Sequence, residues 1–257
     1  MPILVKIYPT PVLVITDPPA VCAPNTVDIT VAAITAGSTG GVTLTYWTNP
    51  TVTNSLVNPS SITNNATYYI LSTNSDGCKD TMPVTVLINP KPVLVITNPP
   101  AVCTPNTIDI TLASVTAGTT GVGVLSYWTN ATATNALANP NTISTSGTYY
   151  IQITNAYGCT DIQPVIVTIN PLPILAITNP SAVCFPTTAD LTLPVITIGT
   201  IGTGTLTYWM DAGATIPLAN PSTVGTSGVY YILLVNSSGC SDFKPVTVII
   251  NVKPISY

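Results

Sequence analysis

The sequence predicts an all-β chain of three tandem β-sandwich domains in a semi-rigid rod, and three observations predict it. Trp47, Trp128 and Trp209 lie 81 residues apart, as do Cys22, Cys103 and Cys184, and again Cys78, Cys159 and Cys240. A period kept by three landmarks without an insertion marks one structural unit used three times. Within each unit, short β-branched runs alternate with Pro, Gly and Asn clusters at the spacing of a sandwich, and no segment carries a helical period or cap. Residues 9–89 match residues 90–170 at 50 of 81 positions, with the third copy more divergent; tandem duplication explains this most simply.

The predicted elements of the first repeat run in order. A first strand covers Pro11–Thr16, a second Val27–Ile34 and a third Val42–Trp47; a short pair lies near Ser55–Ile62, a sixth strand covers Thr67–Thr73 and a seventh Met82–Ile88. Sequential strands with short turns imply antiparallel pairing. Trp47 on the third strand and Tyr68-Tyr69 at the start of the sixth stand where an immunoglobulin-like sandwich keeps its core Trp and corner Tyr. Trp47, Trp128 and Trp209 are therefore expected as core anchors.

The ends fall in the same register. Residues 1–8 align with 82–89 as the last strand of a preceding repeat, and Lys253-Pro254-Ile255 aligns with Lys91-Pro92-Val93. The expected domains are repeats at 9–90, 91–171 and 172–252, with 1–8 and 253–257 belonging to neighbouring copies of a longer array. The joints, Ile88-Asn-Pro-Lys-Pro92 and Ile169-Asn-Pro-Leu-Pro173, place two prolines in four residues, which favours extended, stiff linkage.

Small domains bury too little surface to be comfortable, so a covalent staple is expected in each. Two cysteines recur per repeat, 56 residues apart. The expected pairs are Cys22 with Cys78, Cys103 with Cys159 and Cys184 with Cys240, each closing a loop worth roughly 4 kcal/mol of unfolded-state entropy. Cys22 precedes the second strand and Cys78 follows the sixth, so the bridge is expected to pin one end of the sandwich. The rival, metal binding, lacks a histidine, a CxxC and a third ligand. Disulfides imply an oxidising, extracellular setting.

The charge inventory excludes several functions. All 9 acids are Asp, all 5 bases are Lys, and His is absent. Five scattered lysines form no basic footprint, so nucleic acid is excluded as a partner. A surface so poor in charge and rich in Thr, Ser and Asn is expected either to be covered in an assembly or to carry sugar. Asn65-Ala-Thr67, Asn130-Ala-Thr132 and Asn236-Ser-Ser238 have the form of N-glycan acceptors. No run of 18 apolar residues occurs, so no membrane span is expected in this segment. Met1–Tyr8 also fails as a signal peptide, because Pro2 and Lys6 interrupt it and no cleavage site follows.

The order Cys22, Tyr46-Trp47, Thr67-Tyr-Tyr-Ile70, Gly77-Cys78, Pro83-Val-Thr-Val86 resembles the Ig-like tandem repeats of large Bacteroidota cell-surface and adhesin proteins associated with type IX secretion. The resemblance covers all three repeats and implies a bacterial cell-surface or secreted array. Asp80-Thr81-Met82 also resembles the triplet that this phylum O-glycosylates, though Asp161-Ile162 and Asp242-Phe243 lack the hydroxyl.

Reactive chemistry is scarce. Asp28, Asp109 and Asp190 recur before the second strand, and Asp80, Asp161 and Asp242 recur after the second cysteine. Recurrence in every copy argues for turn capping over weak calcium at the joints or catalysis. No histidine is available as a base and no Gly-x-Ser-x-Gly elbow occurs. The glycines of residues 36–41 and 199–204 lack the helix and lysine of a phosphate loop. No cofactor, metal or catalytic residue is expected, and the chain is expected to be no enzyme. The expected function is structural: part of an extracellular fibre or adhesin stalk whose partners are neighbouring repeats, self-associated fibres and a glycan or cell-surface ligand. The alternatives are a carbohydrate-binding array presenting Tyr46, Tyr127 and Tyr208, and a filament subunit exchanging the strand Met1–Tyr8.

Overall fold

The computed structural model describes residues 3, 5–41 and 43–252. The first repeat contains β1 (Val21–Cys22), β2 (Thr43–Trp47), β3 (Ala66–Thr73), β4 (Lys79–Val86) and β5 (Ile88–Asn89). The second contains β6 (Val102–Cys103), β7 (Val124–Trp128), β8 (Gly147–Thr154), β9 (Thr160–Val167) and β10 (Ile169–Asn170). The third contains β11 (Val183–Cys184), β12 (Thr205–Trp209), β13 (Gly228–Val235), β14 (Ser241–Val248) and β15 (Ile250–Asn251). Short 3-10 turns occupy Ala32–Thr35 and Pro194–Thr197, and no α-helix occurs among the described residues.

One layer of each repeat is a three-stranded sheet, in the orders β2-β3-β4, β7-β8-β9 and β12-β13-β14. In the first repeat β2 runs antiparallel to β3 from Thr43↔Thr73 to Trp47↔Tyr69, and β3 to β4 from Ala66↔Val86 to Thr73↔Lys79. The opposing layer is built from single bridges: Val27↔Ile62 and Val12↔Thr39, with the Ile29 amide donating to the Pro59 carbonyl at 3.0 Å. Leu13, Val27, Ile29 and Ile62 from this layer bury against Tyr68, Ile70, Val84 and Val86 from the sheet. The third repeat repeats the pattern with Leu175, Ala189, Leu191 and Val224 against Tyr230, Ile232, Val246 and Val248. Each fully buried aliphatic side chain contributes about 1.5–3 kcal/mol.

The predicted first strand departs from a regular ladder for a chemical reason. Its amides are taken one by one: Leu13 N–H donates to Asp80 Oδ2 at 2.8 Å, Val14 N–H to Ser38 Oγ at 2.8 Å and Thr16 N–H to the Ile34 carbonyl at 2.9 Å. Side-chain acceptors at Leu13 and Val14, between backbone bonds at Val12 and Thr16, thus interrupt the regular ladder. The predicted second strand is cut short because Asp28 Oδ1 accepts both the amide and the hydroxyl of Thr30, after which the chain enters a 3-10 turn. β1 was unforeseen: it pairs parallel with β5, Val21↔Ile88 and Cys22↔Asn89. Two residues between prolines carry no period to read.

Trp47 and Trp209, expected as core anchors, are absent from the cores of their repeats. Tyr46 and Tyr208 pack against the two cores, and strand alternation turns Trp47 and Trp209 to the outer face of the sheet. There Trp47 Nε1–H donates to Thr45 Oγ1 at 2.9 Å, two residues back on the same face, and Trp128 and Trp209 do likewise with Ser126 and Thr207.

By Cα proximity the chain groups into two compact units: Met1–Ile96 with Thr116–Ala136 and Tyr150–Pro164, and Thr97–Val115 with Leu137–Tyr149 and Val165–Tyr257. Of the expected flanking segments, Lys253-Pro254-Ile255, Met1, Pro2 and Leu4 lie outside the described residues, as does Val42 at the start of the third predicted strand. Ile3, Val5 and Ile7 are 90%, 77% and 89% exposed, whereas their counterparts one period later, Val84, Val86 and Ile88, are buried.

Candidate functional site

The joints concentrate the recurring polar residues. β1 sets Cys22 beside Asn89, the last strand residue of its repeat. Cys78 instead follows the turn between β3 and β4. About ten extended residues, roughly 30 Å, separate that turn from Asn89, so Cys22 and Cys78 occupy opposite ends of one sandwich. A disulfide needs Cα atoms within about 7 Å. The pairs expected from spacing, Cys22–Cys78, Cys103–Cys159 and Cys184–Cys240, are therefore replaced.

The observed bonds join successive repeats. Cys22 bonds Cys159 with Cα atoms 5.6 Å apart, and Cys103 bonds Cys240 at 5.7 Å; each closes a separation of 137 residues. Cys78 and Cys184 remain as thiols.

The turn that carries the second cysteine is built to hold the joint. Asn155 Oδ1 accepts the amides of Tyr157 at 3.0 Å and Cys159 at 2.9 Å, an Asx turn, while Asn155 Nδ2 donates to the Pro90 carbonyl at 2.8 Å. Gly158, at φ 79°, supplies the left-handed residue that the turn requires. The same bonds recur from Asn236 to Pro171 at 3.1 Å, and from Asn74 to Pro9 at 2.8 Å. The proline carbonyls at the joints therefore have side-chain amide partners, and the linkers are tied at both flanks. Two residues past Cys159, Asp161 accepts the Leu94 amide at 2.8 Å and meets Lys91 Nζ at 3.0 Å. Asp80 and Asp242 hold Leu13 and Leu175 in the same way. Burial raises the Asp161 pKa, but the Leu94 amide, Lys91 and the Gln163 amide together outweigh it and hold the carboxyl below its ordinary value.

The aspartates before the second strand act locally. Asp28, Asp109 and Asp190 each accept the amide and hydroxyl of the threonine two residues on, at 2.6–2.8 Å. The Thr30 hydroxyl, then its amide, lower the Asp28 pKa. Burial, and after it the charge of Asp28, raise that of Tyr46; Tyr208 responds in the same way to burial and Asp190. Among the described residues no three His, Cys, Asp or Glu side chains converge on a metal position.

Two of the glycan-acceptor asparagines spend their amide nitrogen internally. Asn130 Nδ2 donates to Thr132 and Thr134 Oγ1 at 2.8 and 2.6 Å, and Asn236 Nδ2 to Pro171. Asn65 Oδ1 accepts the Ile88 amide. Thr81, the hydroxyl of the O-glycan triplet, is half-buried on β4, opposite Leu71.

A row of rings crosses the outer sheet face: Trp47 opposes Tyr69, which opposes Pro83, and Trp209 opposes Tyr231, which opposes Pro245. In the third repeat Tyr231 also stacks on Phe243, centroids 5.3 Å apart. The aromatic rings of these rows are half-buried, and Pro83 and Pro245 are exposed. The expectation of a line of exposed Tyr46, Tyr127 and Tyr208 is thus replaced at Tyr46 and Tyr208 by an outward Trp–Tyr pair. A hollow of about 470 Å³ lies beside the first joint, between Pro90–Pro92, Gly121–Val124 and Thr154–Tyr157, with Lys91 its one charged lining residue. The disulfides, the asparagine turns and the aspartate bonds at the joints hold chain segments together.

No protein-family model and no curated protein matches the chain. Among solved structures, the N-terminal eight Ig domains of the Down Syndrome Cell Adhesion Molecule align with TM-score 0.53 at 12% identity, over 95% of this chain and 37% of that one. The titin I-band fragment I67-I69 aligns with TM-score 0.47 at 11% identity, over 96% of this chain and 100% of that one. A Bacteroides ovatus glucan-utilization protein, SGBP-B, in complex with a mixed-linkage heptasaccharide, aligns with TM-score 0.23 at 15% identity, over 96% and 72%. The first of these carries the likeness in fold, which is that of tandem immunoglobulin-like domains.

Proposed function

We propose that the chain is a non-catalytic spacer: part of an extracellular fibre or bacterial surface-adhesin stalk, in which Ig-like repeats are locked to one another in a semi-rigid rod. The observation that carries this reading is the clasp at each joint, where a disulfide and an asparagine amide from one repeat grip the end of the repeat before it. A flexible linker would let domains tumble; prolines plus a covalent cross-tie oppose bending. The disulfides support an oxidising compartment. The sequence resemblance to Bacteroidota surface repeats supports a cell-surface position. Electron microscopy of the native material checks the reading: beaded threads of uniform spacing are expected, and isolated globular particles would overturn it.

A second reading, a carbohydrate-binding array, is favoured by one observation, the outward pairing of Trp47 with Tyr69 and Trp209 with Tyr231. Indole and phenol rings side by side on a sheet suit the apolar face of a sugar. Cross-strand packing accounts for the same rows without a ligand. Binding on a glycan array that disappears with Trp47→Ala and Trp209→Ala decides for sugar; no retention of any glycan decides against it.

A further inference from the structure

We infer that Cys184 and Cys78 are the two halves of another joint, closed when the Cys78 turn of one copy of this chain seats on the Cys184 end of a second copy. The inference rests on the spacer reading only for its biological use; the chemistry stands on the repeat geometry alone.

The first cysteine of one repeat bonds the second cysteine of the next, twice in this chain. That rule leaves one first-position thiol, Cys184, and one second-position thiol, Cys78. The surroundings of both match those of the bonded pairs. β11 pairs parallel with β15, Cys184↔Asn251, as β1 pairs with β5, Cys22↔Asn89. The Phe185 amide donates to the Asn251 carbonyl at 3.0 Å, as the Ala23 amide donates to Asn89 at 2.9 Å. On the other half, Asn74 Oδ1 accepts the Cys78 amide at 2.8 Å and Asn74 Nδ2 grips Pro9, the bonds that aim Cys159 at Cys22. What differs is cover. Cys159 and Cys240 are 1% exposed in their bonds, whereas Cys78 is half-buried, and Cys184 is exposed beside Phe185, itself 64% exposed. Both halves are formed and uncovered, and they complement each other, not themselves. A contact between two different patches is heterologous and propagates head to tail.

The covalent step balances by thiol–disulfide exchange with a low-molecular-weight disulfide such as oxidised glutathione. One cysteine thiolate attacks it, forming a mixed disulfide and releasing one small thiol. The second thiolate displaces the other small thiol, so the cysteine pair is oxidised as the small disulfide is reduced.

The test uses full chains carrying Cys78→Ser or Cys184→Ser, alone and mixed, in a glutathione redox buffer. Non-reducing electrophoresis is expected to show no covalent dimer in either variant alone, one dimer in the mixture and a ladder for the unaltered chain. Peptide mapping is expected to join Cys78 to Cys184. Residues 1–8 of the arriving copy share their repeat register with residues 244–251 of the receiving copy, so removing residues 1–8 is expected to speed the mixed dimer. Thiols that stay free, dimers of one variant with itself, a Cys78–Cys184 bond within a single chain, or slower pairing after the trim would each overturn the inference. Threads by microscopy without the ladder would leave the spacer reading standing and remove this one.

Discussion

Asp161 ties an edge segment to its domain with one carboxylate. It is buried, accepts the Leu94 amide and meets Lys91, whose own side chain is 42% exposed, so the ion pair is the weaker part of the tie. Asp161→Ala leaves that amide without its acceptor and is expected to cost about 1–3 kcal/mol in urea unfolding; an unchanged midpoint would show the tie to be idle. Its folded pKa is held below the ordinary value, so its contribution is present above that ordinary carboxyl pKa, near 4, and fades as pH falls through the folded value. Acid unfolding of Asp161→Ala is accordingly expected to lack this component. Gly158→Ala tests the backbone: φ is 79° and nothing lies within 4 Å of the added methyl, so the expected loss, about 1 kcal/mol, is conformational alone. The duty of these aspartates was half legible. Recurrence marked them as structural, but which amide each would take depends on a segment 67 residues away in sequence.

At the scale of elements, the short strands β1 and β5 decide where a cysteine can reach. Replacing both Cys22 and Cys159 by serine is expected to cost about 2–5 kcal/mol in thermal or urea unfolding. Cys78→Ser, which breaks no bond, is expected to stay within about 0.5 kcal/mol. Equal losses in the two cases would contradict the observed pairing. The sheet strands were readable because alternation and β-branched residues coincide in them, as in Thr67–Thr73. The outer segment at Pro11–Thr16 was readable as extended but not as side-chain-capped, because Asp80 and Ser38 reach it only through tertiary folding. Trp47 and Trp209 were misplaced for a related reason: Tyr46-Trp47 alternates, and alternation fixes that one ring faces in without saying which.

For the whole molecule, bonds between repeats change what a backbone cut does. A protease site placed at each joint, in 90–92 and 171–173, would release three fragments if every bond lay within a repeat. With Cys22–Cys159 and Cys103–Cys240, the doubly nicked chain is expected to migrate as one species without reductant and to separate only when reduced. Early separation without reductant would refute the pairing. Proteolytic endurance of this kind suits a spacer. The sequence by itself determined the 81-residue unit, its β character, the proline joints and the poverty of reactive groups, because each is a local or periodic property of the chain. Only the tertiary structure decided the partner of each cysteine. Equal spacing is compatible with bonds inside a repeat or between repeats, and the choice follows from the length of a strand, which puts Cys22 and Cys78 at opposite ends of one sandwich and brings Cys159 to the joint.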